Sequence, residues 1–152
     1  MKKAIVLFFL CSTINIAYAQ SSDFVNTCRN ILNGLFLVAD GNYPPSIVWN
    51  GNEGNTPPVS SGGATSNISV VRTDDSRIVY LNIKGSLDTA SQFRDGFRAV
   101  FRDAGISPQT TEDFVTAYVF NPYFIGLTII TSDMVKELEG DTLLQLMIMR
   151  ME

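Results

Sequence analysis

Apolar residues recur at three- and four-residue steps from Leu87 to Ala104: Leu87, Ala90, Phe93, Phe97, Val100, Phe101 and Ala104. That spacing gathers them on one face of a helix. Ser86 is placed to cap its start, Asp88 suits the positive end of the dipole, and Gly105 can take the left-handed conformation that stops it. A second stripe of Phe24, Cys28, Ile31, Leu32, Leu35, Phe36 and Ala39 follows Asp23. It predicts an N-terminal helix within residues 20–40, ended by Asp40-Gly41-Asn42.

Elsewhere the pattern shortens to the β type. Residues 68–71 and 77–83 are β-branched runs on either side of Thr73-Asp74-Asp75-Ser76, which reads as a hairpin. Residues 114–120 and 123–131 are strands joined at Asn121-Pro122. Ser132 or Asp133 caps a short helix over 134–139, stopped by Gly140, and the apolar run 143–151 is read as a closing strand. From residue 77 the order is β-α-β-β-α-β. The expected fold is therefore α+β: an antiparallel sheet of four to five strands in ferredoxin-like order, preceded by an N-terminal helix and a long loop. Many unrelated functions share that topology. Residues 68–152 form the α+β domain, and 20–152 form one globular unit.

Residues 41–67 break both periods. Gly, Pro, Asn, Ser and Thr dominate there, and Ile47-Val48-Trp49 is the one apolar island. The composition predicts a loop or linker, with Trp49 as a possible anchor.

Strand alternation sorts the faces. Val79, Leu81 and Ile83 share one side, and Ile78, Tyr80 and Asn82 the other. In 114–120, the small residues Val115, Ala117 and Val119 are expected beneath the phenylalanine helix, which leaves Phe114, Tyr118 and Phe120 opposite. Tyr80, Tyr118 and Phe120, together with Trp49, are the expected binding residues. The competing expectation is that the N-terminal helix folds over that aromatic face.

The chain's first residues change the compartment. Met1-Lys2-Lys3, an apolar run from Ala4 to Leu10 and Ala17-Tyr18-Ala19 match an export signal, with residues 1–19 removed before Gln20. The expected location is the periplasm or the exterior. Loss of Lys2 and Lys3 takes the formal charge from −4 to −6, which argues against nucleic acid as a partner. No other apolar run is long enough for a membrane span.

The chain has no histidine, which removes Ser-His-Asp and Cys-His catalysis, His-ligated zinc and a His switch. Cys11 leaves with the signal, so Cys28 can pair only with another chain, as in a homodimer, or stay buried. Asp74, Asp75, Glu112 and Asp113 are the acids a hydrolase would need, yet turn positions explain them. Met147, Met149 and Met151 share one side of a strand, as a soft Cu(I) carrier site would, although methionine also fills cores well. No cofactor, metal site or catalytic residue is indicated. The expectation is an exported, non-catalytic binding protein with a protein partner: an inhibitor, an immunity-type protein or an envelope accessory. A small-ligand or Cu(I) carrier and a carboxylate-dependent hydrolase are the alternatives.

Overall fold

The computed structural model describes residues 22–112 and 114–151. The export signal expected over 1–19 lies outside them, as does Asp113. Helix α1 (Ser22–Ala39) comes first. Strands β1 (Val48–Asn50), β2 (Glu53–Asn55), β3 (Val59–Ser61), β4 (Ala64–Arg72) and β5 (Ser76–Gly85) follow. Helix α2 (Leu87–Asp103) leads to β6 (Thr110–Thr111), β7 (Val115–Phe120), β8 (Tyr123–Thr131) and β9 (Thr142–Met151).

The sheet is not the expected four- to five-stranded ferredoxin-like one. It has nine strands, all antiparallel, in the order β1-β2-β4-β5-β9-β8-β7-β6, with β3 beside β4. Two physical reasons account for the difference. The expected second helix is only a 3₁₀ turn at Lys136–Leu138, where Leu138 alone is buried. Without an apolar stripe it cannot cross over the sheet, so the chain returns directly and β9 pairs with β8 from Thr131↔Thr142 to Tyr123↔Arg150. The other edge of β9 then takes β5. The second reason lies in residues 41–67, where the glycines and asparagines expected to make a linker make hairpin turns instead. Gly51 (φ +61°) closes β1 onto β2, and Gly62 (φ +59°) and Gly63 (φ +79°) close β3 onto β4, the left-handed conformations that tight hairpins demand.

Both helices lie on one face of the sheet. Ile68 and Val70, Val79, Leu81 and Ile83, Leu144, Leu146 and Ile148, and Ile125, Leu127 and Ile129 meet α1 and α2 in a single core. Helix α2 keeps the middle of its expected stripe: Ser86 Oγ accepts from the Thr89 amide at 3.1 Å, and Ala90, Phe93, Phe97, Val100 and Phe101 are buried, whereas Leu87 and Ala104 at its ends are exposed. Helix α1 packs beside α2, so neither described helix lies on the opposite sheet face. Phe24 meets Phe93 edge-on, with ring centroids 5.1 Å apart. Cys28 is 0% exposed, which closes off the expected dimer route through it. Among the described residues no helix is long and apolar enough to cross a membrane.

In β7 the faces are reversed from expectation. Thr116 and Tyr118 point at α2, and Val115, Ala117 and Val119 point away. Tyr118 stacks on Phe101 at 4.3 Å and 26°, and Arg98 donates to the buried Thr116 hydroxyl. A flat aromatic stack and a satisfied hydroxyl fill that edge of the core better than three small side chains would.

Candidate functional site

The side of the sheet away from the helices is a surface built from cross-strand rows. Register places Val71, Ile78, Met149, Phe124 and Val119 abreast on β4, β5, β9, β8 and β7. The next row is Ser69, Tyr80, Met147, Gly126 and Ala117, and the third is Asn67, Asn82, Gln145, Thr128 and Val115. These side chains are partly exposed, and Val119 is 53% exposed. None of the fifteen carries a formal charge at neutral pH. Charge begins only at the margins, with Glu53 opposite Val71 on β2 and Lys84 one row past Asn82, paired with Asp141 at 3.6 Å.

That is an unusual outer face for an antiparallel sheet, which ordinarily reads apolar inward and polar outward. The rows span five strands, about 20 Å across, and about 14 Å along the strands. A patch of a few hundred Å² is the size of the largest seen on typical monomers, and such patches are often functional. The third row adds directional groups: Gln145 Nε2 donates to Asn82 Oδ1 at 3.0 Å. Met147 and Met149 supply adaptable apolar surface between Tyr80 and Phe124, and Met151, at 53% exposure, extends the stripe.

The four residues expected to bind are scattered. Tyr80 lies in the centre of the open face. Tyr118 is 3% exposed beneath α2 and presents no accessible ring. Phe120 stands on the helix side, 6.4 Å from the ring of Phe36, where it lines a cleft of about 390 Å³ between α1 and α2. Trp49 packs at the end of α1, edge-on to Tyr43 at 4.9 Å and beneath the Arg72 guanidinium at 4.0 Å. Ile78, Phe124, Met147 and Met149 were not among the expected binding residues. The signal that could have found them is β9 itself, whose run is apolar on both sides although both described helices lie on one side.

Acids and sulfur are also dispersed. Asp74 and Asp75 are exposed in the β4–β5 turn, and Glu112 is exposed at the opposite edge of the sheet, next to β6. Strands β9 and β8 stand between the β4–β5 turn and the segment beside β6 in the order of the sheet. The three methionines are strung along one strand rather than converging. Burial pushes the Cys28 thiol up to about 12, so it stays protonated. Tyr123 is raised by burial first, and then by the hydrogen bond it donates to Asp40 at 2.6 Å and by that carboxylate's charge.

No protein-family model matches the chain, and neither a curated protein nor a solved structure shows significant similarity to it.

Proposed function

We propose that the chain is an exported, non-catalytic interaction protein that docks another protein through the open face of its sheet. Support comes above all from the fifteen uncharged positions in three rows, on the side of the sheet away from both described helices. Depletion of charge with retention of aromatic and methionine side chains is the compositional mark of an interface core. The partner is a protein with an equally uncharged, apolar contact surface, one that can also meet the amides of Asn67, Asn82 and Gln145. A lipid surface fits less well. Membrane-seeking faces carry a basic fringe for anionic headgroups, and here the fringe is Glu53 on one side and a lysine already paired with Asp141 on the other.

The test uses the mature chain immobilised alongside two variants: Tyr80→Glu/Met149→Glu on the open face, and Leu87→Glu on exposed α2 surface. All three meet the same envelope extract. A specific protein should be retained equally by the parent and Leu87→Glu, and at least tenfold less by the open-face variant. Retention by all three, or by none, overturns the proposal. So does replacement of the partner by a second copy in light scattering, or by phosphatidylethanolamine/phosphatidylglycerol vesicles in flotation, when either effect vanishes in the open-face variant.

A further inference from the structure

The corner of the sheet beyond the end of α1 carries a second feature, on the side opposite the open face. Arg72, Arg77 and Arg150 stand abreast on β4, β5 and β9, in register as Arg72↔Arg77 and Arg77↔Arg150. Like charges directly opposite each other on neighbouring strands are destabilising, and here two such pairs are consecutive. Among the described residues no acidic side chain stands in this row of the sheet.

Two of the three arginines serve the helix. Arg77 Nη1 donates to Ala39 O at 3.4 Å, and Arg150 Nε lies 3.4 Å from Asp40 Oδ1, the carboxylate that also receives the Tyr123 hydroxyl. Helix α1 has no basic residue in its own last turn, so these cations offset its negative end from outside. Arg72 has no such duty. Among the described residues its guanidinium has no carboxylate within ion-pair distance and donates no hydrogen bond, and its Nε is buried without an acceptor. Asp74 and Asp75, two and three residues on, are exposed and form no ion pair among the described residues.

What holds Arg72 is aromatic. Its guanidinium carbon sits 4.0 Å from the Trp49 ring centroid and 5.9 Å from that of Tyr43. Trp49 is itself fixed, because Gly54 lets it approach so closely that a β-carbon there would lie 2.8 Å from Cε3. Stacking uses the faces of a guanidinium and leaves the donors at its edge unengaged. A fork oriented by stacking, with no anion on Arg72 among the described residues, matches the planar recognition of carboxylate or phosphate.

We propose that Arg72, with Arg77 beside it and Trp49 and Tyr43 as its wall, binds an oxyanion: the carboxylate or phosphate group of a ligand. The site is independent of the open face.

Trp49 is the chain's one tryptophan and stacks on the binding residue, so its fluorescence reports occupancy directly. The mature protein is titrated separately with inorganic phosphate and with acetate, with chloride holding ionic strength constant. At least one anion should change the emission saturably. Phosphate alone identifies a phosphate site and acetate alone a carboxylate site. Arg72→Gln should abolish saturation, and Arg72→Lys should weaken binding at least tenfold, because an ammonium offers no planar fork. Arg29→Gln, which alters a cation elsewhere on α1, should titrate like the parent. If Arg72→Gln does not fold by circular dichroism, Arg72→Lys carries the comparison. No saturable change with either anion, or unchanged saturation in the Arg72 variants, overturns the site.

Discussion

Cys28 shows how little of a residue's role its identity decides. A free thiol invites pairing with another molecule, but this one is 0% exposed between α1 and α2. Its folded value of about 12 exceeds the ordinary 9.0. The folded chain therefore keeps a proton that the unfolded chain releases as pH passes 9. The stability tied to that proton is complete below about pH 9 and is lost as pH climbs toward 12, at about 1.4 kcal/mol per pH unit. Tyr118, raised by burial, acts in the same direction above pH 10. Urea unfolding at pH 8, 9.5 and 10.5 should show the decline, and Cys28→Ala should show a shallower one from a lower starting stability. Equal slopes would remove the thiol as the cause. Native protein should also resist a thiol reagent that labels it fully once unfolded.

The helix pair depends on the same spot. Gly96 faces α1, and a β-carbon there would lie 2.6 Å from Cys28 Sγ and 2.8 Å from a carbon of the Phe24 ring. In a free helix, Gly→Ala gains up to about 1 kcal/mol. Here the helices must part to admit the methyl group, so Gly96→Ala should instead destabilise by about 1–3 kcal/mol, read by thermal or urea unfolding. A more stable variant would mean that α1 and α2 separate easily. Elements with a dominant period were legible from sequence. Both helices and the hairpins β4–β5 and β7–β8 follow from their spacing and turns. The 3₁₀ turn before β9 reads as a helix because a capping residue and a closing glycine are present, but no stripe lies between them. The strands β1–β3 were hidden because Gly and Asn signal linkers and tight hairpins alike, and pairing with β4 decides between them. Arg72 and Arg77 could have been placed opposite each other from the hairpin, since the turn Thr73–Ser76 sits symmetrically between them.

At the scale of the whole molecule, both described helices lie on one side of the nine-stranded sheet, and no described helix lies on the other. The sequence could sort residues into two faces, but neither composition nor alternation says which face a distant helix will choose. That choice left Tyr80 in the open and, with the reversal in β7, took Tyr118 out of reach. The strand β9 holds the sharpest contrast, because Ile148 and Met149 are neighbours in the chain and lie on opposite sides of the sheet. Ile148 is 0% exposed in the core, so Ile148→Glu would bury an unpaired carboxylate and should cost more than about 4 kcal/mol or prevent folding. Met149 faces the uncovered side, where a carboxylate keeps its water, so Met149→Glu should cost less than about 1 kcal/mol. Urea unfolding of the two variants checks the comparison. Similar large losses from both would mean that the second face is packed as tightly as the first and has no room for a partner. A large loss at 148 with little at 149 would mean that folding does not need the apolar rows, so their apolar character serves something outside the chain.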